Sequence, residues 1–412
     1  MRKLLYIDSS YTLSQIYDRS LKQVFEARFL DGYFDQVWSA HPVDTHPASN
    51  LNVGPAGKPL EERLSPSHVF VRGRYGRFKI LTWLPAMNAA LALLSFVLML
   101  TSIARKERIR VVRAGDPLLC GLIGLIVARL SGGKLVVRVN GNHDTVRAVS
   151  GNPINPRIFR TAWVESRIET IVLSRADRVI LYSENHREFA LGKGSKDDRV
   201  AVIRHGNLID ARHMAEPTRR APPADPEMLR MLQERPWMVH VGRLLNIKHA
   251  EDCYEVLRQL AAQDSEAGLL LIGDGPLRET IARRSEADEL IDRVLFLGNI
   301  NQDAVARILP RCTLALSPLT GRALAEVAFA ALPIVAYDLD WQGEVVETDL
   351  TGILVPARDI TAMAKGAAHL LADASLRQTL GSEARRRAFD LLEPQEQTRR
   401  EIEAYASLGV LS

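Results

Sequence analysis

In the second half of the chain the apolar residues come as short continuous runs: Trp237-Met-Val-His240, Gly268-Leu-Leu-Leu-Ile272, Val294-Leu-Phe-Leu-Gly298, Thr313-Leu-Ala-Leu316 and Ile334-Val-Ala-Tyr337. Each is closed by a turn signal and separated from the next by a segment of helical character. Runs without polar alternation suit strands buried on both faces, and their alternation with helices predicts an α/β domain with a parallel, doubly wound sheet. Pro276, after Gly273-Asp274-Gly275, sits where a first helical residue is favoured, because its missing N–H has no partner to lose there. In the first half Leu4–Ile7, Val111-Val112 and Leu135–Val139 read as strands. Leu118 to Leu130 reads as a core helix started by Asp116 and Pro117.

Chemistry enters where the first of these runs ends. Val241-Gly242-Arg243-Leu244-Leu245-Asn246-Ile247-Lys248 places two cations just past a strand end. Open α/β sheets bind ligands outside the carboxyl ends of their strands. There Gly242 permits close backbone approach, Arg243 can clasp oxygens in a planar fork and Lys248 adds a point charge, a pair that suits a diphosphate.

With these pieces in order, the chain resembles the retaining nucleotide-sugar glycosyltransferases of family 4, also called glycosyltransferase group 1. The resemblance rests on Val241-Gly242-Arg243-Leu244 with Lys248, Ile272-Gly273-Asp274-Gly275-Pro276, Phe296-Leu297-Gly298, Gly321 followed by Glu326, Leu332 to Ala336, Glu344-Val345-Val346, and Thr351-Gly352-Ile353-Leu354-Val355-Pro356. It is specific over residues 237 to 390. A weaker echo lies in Ser174 to Ser183 and in Val202-Ile203-Arg204-His205-Gly206-Asn207. It implies the GT-B fold, two Rossmann-like doubly wound parallel-sheet domains facing a cleft. It also implies that Arg243 and Lys248 neutralise the departing diphosphate, that Glu326 accepts the ribose hydroxyls, and that Gly298 and Asn299 receive the nucleobase.

The chain departs from the family at three points. Eight residues before Glu326, where relatives carry the first carboxylate of a Glu-x7-Glu motif beside the donor sugar, stands Pro318. Either Thr320, Gly321, Arg322 or backbone amides of that loop take over the sugar contacts, or catalysis is impaired; Pro318 as a plain loop stiffener is equally compatible. After the strand Leu135–Val139, where relatives often carry a histidine, Asn140 stands first and His143 three residues later. Either could make the sugar contact, and a surface His-Asp pair is the plainer alternative. The glycine-rich loop after the first strand is replaced by Asp8-Ser9-Ser10, whose hydroxyls either stand in for backbone donors or form a local turn.

The expected division is residues 1–215 as the acceptor-binding domain, 216–235 as a proline- and charge-rich linker, 236–392 as the nucleotide-sugar domain, and 393–412 as a helix crossing back to the first. Charge is unequal between the halves. Residues 1–215 hold 31 Lys and Arg against 19 Asp and Glu, and the remainder 22 against 30, giving about +12 and −8. A basic acceptor domain fits an anionic membrane surface or a diphosphate-linked lipid acceptor, whereas no nucleic-acid motif accompanies the charge. Arg72, Arg74, Arg77, Phe78, Lys79 and Trp83 are the expected membrane or acceptor contacts. Ala86 to Ala104 follows, uncharged, and is open to three readings: buried helix, helix lying at the membrane surface, or span.

Met1-Arg2-Lys3 leads into too short an apolar run for a cleavable signal, so a cytoplasmic protein, peripheral on the cytosolic face of the membrane, is expected. Cys120, Cys253 and Cys312 are scattered and odd in number, which fits reduced core thiols. Asp338-Leu339-Asp340 looks like the metal-binding Asp-x-Asp of a different transferase fold and is read as coincidence, so neither metal nor cofactor is expected. The expected function is a retaining hexosyltransferase moving a sugar, a UDP-sugar first among donors, to a lipid-linked or saccharide acceptor in bacterial-type cell-surface polysaccharide or glycolipid synthesis. The alternatives are a nucleotide-sugar epimerase or hydrolase of the same fold, and a catalytically silent membrane-associated binding protein.

Overall fold

The computed structural model describes residues 1–18, 21–43, 56–81, 83–156, 158–204 and 209–410. His205, Gly206 and Asn207 of the weaker echo lie outside the described residues. The chain divides into two compact units, residues 1–204 with 395–412, and residues 205–394.

The first unit is built on β1 (Lys3–Ile7), β2 (Gln36–His41), β3 (Leu60–Ser65), β4 (His68–Arg72), β5 (Val111–Ala114), β6 (Lys134–Val139), β7 (Arg178–Leu181) and β8 (Val200–Val202). Their order is β3-β4-β2-β1-β5-β6-β7-β8, parallel except that β3 runs antiparallel to β4. Leu5, Ile7, Val112, Ala114, Val137 and Val139 face a core shared with the helices Pro85–Lys106 and Leu119–Ser131. Leu4, Val111, Val136 and Ile180, the alternate residues of the same strands, pack with Ala404 and Tyr405 of the helix Pro394–Ala406. Covering on both faces is why these strands read as continuous apolar runs. The final helix is also fixed by charge: Glu401, 1% exposed, accepts a hydrogen bond from Arg113 and lies 3.9 Å from Arg138.

Ala86–Ala104 makes up most of the 22-residue helix Pro85–Lys106, whose Phe96, Leu100, Ile103 and Ala104 belong to the core while Leu94 and Leu98 on the other side are exposed. By length and composition the helix could cross a membrane. As folded, one side of it is committed to the core of the first unit.

The second unit carries β9 (Trp237–Val241), β10 (Gly268–Ile272), β11 (Val294–Gly298), β12 (Leu314–Ser317), β13 (Ile334–Tyr337) and β14 (Gly352–Val355), all parallel, in the order β11-β10-β9-β12-β13-β14. The chain winds outward from β9 to β11, then returns to the other side of β9 and winds outward again. The reversal opens a crevice between the carboxyl ends of β9 and β12, the place where such sheets bind ligands.

The domain boundary needs correction. Residues 209 to 235 are not a linker but part of the second unit. Arg220, buried, donates to the carbonyls of Ala215 (3.1 Å) and Phe329 (2.7 Å), and Trp237 Nε1 donates to Met231 O at 2.8 Å. The prolines that suggested a linker start helical turns instead: Pro217 opens a 3₁₀ turn, and Pro226 opens the helix Pro226–Glu234 behind Asp225, whose carboxylate caps it at 2.9 Å. Composition cannot tell a proline that stiffens a linker from one that begins a helix.

Candidate active site

The Gly242–Lys248 loop leaves β9 over the crevice, and its shape is set by the neighbouring turn. Gly242 donates its N–H to Ile272 O at 2.9 Å and Leu244 donates to Asp274 O at 3.1 Å. Gly273 has φ +130°, and a Cβ there would lie 1.9 Å from Gly242 O; at Gly275 it would lie 2.4 Å from Leu244 O. The two glycines of Gly273-Asp-Gly-Pro276 therefore let one loop lie against the other. Leu244, fully buried, anchors the middle of the loop.

Arg243 is exposed and Lys248 half-buried, and among the described residues neither has a carboxylate within ion-pair distance. Burial first, then the charge of Arg243, pulls the Lys248 ammonium down to about 8, while Asp340 raises it. Two cations crowded together with no bonded counter-ion favour an anion between them.

The loop after β12 holds Thr320, Gly321 and Arg322, and the helix Arg322–Phe329 starts from it. Gln342, to which no motif in the sequence points, organises this loop. It is 0% exposed, donates to the carbonyls of Ser317 (2.8 Å), Pro318 (2.9 Å) and Tyr337 (3.0 Å), and accepts from Thr320 N at 3.1 Å. Trp341 Nε1 adds a bond to Thr320 O at 3.3 Å. Thr320 is thus buried, with its amide given to Gln342 and its hydroxyl 3.4 Å from the same oxygen. That removes it as a free replacement for the missing carboxylate. Pro318 is buried as well. Gly321 stays exposed and Arg322 half-buried.

Glu326, 3% exposed, accepts from Arg322 Nε at 2.9 Å, so in this state its carboxylate is already partly engaged. Gly298 ends β11 with φ +63° and accepts from Gly273 N at 2.8 Å, leaving Asn299 exposed. His240, 0% exposed, lies under Gly242 and places Nδ1 3.2 Å from Leu316 O, beyond the last backbone pair of β9 with β12. Burial holds this imidazole neutral, with its pKa near 4.

In the first unit, Asn140 donates to Gly115 O at 3.0 Å and accepts from Arg138 at 3.2 Å, closing the ends of β5 and β6 together. His143 places Nδ1 2.7 Å from Glu169, which Arg147 also holds at 2.7 Å and Lys193 at 3.4 Å. Glu169 is 0% exposed; burial raises its carboxyl, but the hydrogen bonds from His143 and Arg147 outweigh that and pull it down to about 2. His143 is therefore one member of a buried charge network and not half of a surface pair with Asp144, whose partners are Arg147 and Lys193. Ser10 gives both its N–H (3.0 Å) and hydroxyl (2.7 Å) to Asp8, so Asp8-Ser9-Ser10 forms the local turn.

The expected membrane contacts separate. Arg72 pairs with Glu62 at 3.2 Å and Arg74 is half-buried, so neither is an open surface cation. Arg77 lies 4.7 Å over the ring of Phe78, and Phe78, Lys79 and Trp83 are exposed. The three cysteines are free and buried.

Residues 225–387 match the family described as Glycosyl transferases group 1, and residues 54–207 match Glycosyltransferase Family 4. The chain belongs to the group 1 glycosyltransferases. Its solved likenesses give the fold of the chain as GT-B. A sucrose-phosphate synthase from Thermosynechococcus elongatus superposes with TM-score 0.76 at 20% identity over 100% of both chains. Anabaena HepE in complex with UDP-glucose gives 0.68 at 18% identity, over 99% of this chain and 100% of that one. Among curated glycosyltransferases, N-acetyl-alpha-D-glucosaminyl L-malate synthase of Bacillus anthracis is 30% identical over 37% of this chain and 40% of its own. The 2-deoxystreptamine N-acetyl-D-glucosaminyltransferase of Streptomyces fradiae is 25% identical over 64% and 62%. The chain thus spans 40% to 62% of the length of these two relatives.

Proposed function

We propose that this chain transfers a hexose-type sugar from a nucleotide sugar, a UDP-sugar first, to a hydroxyl of a lipid-linked or saccharide acceptor, with retention of anomeric configuration and without a metal. The observation that carries this is the pair Arg243 and Lys248 on the loop after β9, with no carboxylate at ion-pair distance among the described residues. Charge developing on a departing diphosphate is what these cations stabilise, and preorganised electrostatics of that kind is usually the largest catalytic contribution. Retention follows if the acceptor hydroxyl attacks from the face the diphosphate leaves, its proton passing to a leaving-group oxygen. Glu326 takes the ribose hydroxyls once it is released from Arg322, and Gly298 with Asn299 borders the base. UDP-glucose bound to HepE and UDP with alpha-GlcNAc-glycerol bound to TarM of S. aureus support this class of donor.

The test screens UDP-, GDP- and ADP-sugars for thermal stabilisation, hydrolysis and transfer, with and without lipid-linked acceptor. Transfer that needs acceptor supports the proposal; turnover without acceptor makes the protein an epimerase or hydrolase, and binding without turnover a silent partner. Activity retained in EDTA is expected. Loss that Mg²⁺ or Mn²⁺ restores would overturn the metal-independent reading.

The acceptor side of the proposal is a membrane-surface one, cytoplasmic and peripheral. From Leu64 to Lys106 the chain has six Lys or Arg and no Asp or Glu. Ile80 (80% exposed) and Trp83 (72%) stand just before the helix Pro85–Lys106, Leu94 (54%) and Leu98 (57%) are exposed along it, and Arg105 and Lys106 lie at its far end. An exposed apolar stripe ended by cations fits the boundary of an anionic bilayer, where each Lys or Arg contributes about 1 kcal/mol. Co-sedimentation with anionic but not zwitterionic vesicles is expected. It should weaken with salt and when Arg77, Lys79, Arg105 and Lys106 become Gln, and equal binding to both lipids, or to neither, overturns it.

A further inference from the structure

The loop that lacks the family's first carboxylate is held by residues that follow directly on another one. Gln342 and Trp341 fasten the Ser317–Thr320 loop through the bonds given above. The residue before them is Asp340, at the carboxyl end of β13, the strand beside β12. Asp340 has φ +59°, the left-handed region that an L residue with a Cβ enters at a cost. That turn bends the chain so that Trp341 and Gln342, 2% and 0% exposed, enter the interior while Asp340 itself stays half-buried. On the other side its charge reaches Lys248, whose ammonium it helps to keep protonated. Asp340 therefore lies within electrostatic reach of Lys248 and directly precedes the two residues that fasten the loop carrying Pro318.

We infer that Asp340 supplies the carboxylate absent at position 318, accepting hydrogen bonds from hydroxyls of the donor sugar and so setting which sugar is accepted. The inference rests on the nucleotide-sugar transferase reading and adds to it a residue that the sequence pattern had assigned to coincidence. A carboxylate takes two hydroxyls more strongly than a neutral group does, because both hydrogen bonds are charge-assisted. Its location on a neighbouring loop explains how the Ser317–Thr320 segment can close onto Gln342 without leaving the sugar unbound.

The test compares affinities for a nucleotide sugar and for the matching free nucleoside diphosphate, using whichever of UDP-, GDP- or ADP-glucose stabilises the wild-type protein. Asp340→Gly removes the carboxylate and keeps the left-handed turn accessible, and Asp340→Asn keeps the shape. Both should bind the nucleotide sugar about tenfold or more weakly, with a matching fall in transfer. Affinity for the free diphosphate, measured at about pH 6 so that Lys248 stays protonated in every variant, should not fall, because with the ammonium charged the loss of a neighbouring negative charge favours an anion. If sugar and diphosphate weaken together, Asp340 acts on the loop and not on the sugar, and the inference is overturned; the same holds if neither changes. A wild-type protein that binds no nucleotide at all removes the transferase reading and this inference with it.

Discussion

The carboxyl ends of the two sheets carry opposite arrangements of charge. At β9 and β12, Arg243 and Lys248 are held by backbone geometry and given no bonded carboxylate. Beyond β6, His143, Asp144, Arg147, Glu165, Glu169 and Lys193 satisfy one another in a closed network. Charge already neutralised by the protein builds a scaffold, and charge left over is available to a ligand. Mutation should therefore cost stability in the network beyond β6 and catalysis at β9 and β12.

The largest effect is expected where the network is cut. Glu169→Ala leaves the buried Arg147 and the half-buried His143 without their shared acceptor, and should lower unfolding stability by about 3 to 5 kcal/mol in denaturant titration. The acid side has a definite sign. The Glu169 carboxyl is pulled from 4.5 to about 2, so its contribution is present above pH 4.5 and lost as pH falls toward 2, a dependence that the alanine variant should lack. An unchanged melting curve would make the network ornamental and dissolve the contrast.

Next comes the grip. Arg243→Ala or Lys248→Ala should slow transfer by about a hundredfold or more, about 3 kcal/mol, with the fold intact. Near-normal turnover in both would place the leaving-group contacts elsewhere. Glu326→Ala should weaken free-nucleotide binding by about 1.5 to 3 kcal/mol for each hydrogen bond to the ribose that it removes, measured by calorimetry. An unchanged dissociation constant would mean that Glu326 serves only to hold Arg322.

The smallest effect is one of pH. Lys248 titrates near 8 in the folded protein against 10.5 when free, so transfer should decline as pH rises through about 8. Over the same interval, 8 to 10.5, the unfolded chain binds the extra proton, and this group's contribution to stability rises. Activity and stability should thus move in opposite directions, and Lys248→Arg should remove the alkaline decline. A wild-type rate profile flat to pH 9 would separate Lys248 from the chemistry.

What the sequence determined by itself is local. Unbroken apolar runs identified β9, β10, β11, β12 and β13, because strands covered on both faces have no polar alternation to hide them. Gly242, Arg243 and Lys248 were legible because a strand end, a glycine and two cations adjoin in the chain. The tertiary structure alone decided everything that depends on a partner distant in sequence. Gln342 and Thr320 meet across 22 residues, Glu169 and His143 across 26, and Arg113 and Glu401 across 288. No periodicity encodes such pairs. The same limit made Pro217 and Pro226 look like a linker and left the helix Pro85–Lys106 open to three readings, since burial of one face is a property of what packs against it. Asp340 is the sharpest case: its neighbours in sequence gave it no meaning, and its reach to Lys248 beside the residues that hold the Ser317–Thr320 loop gives it one.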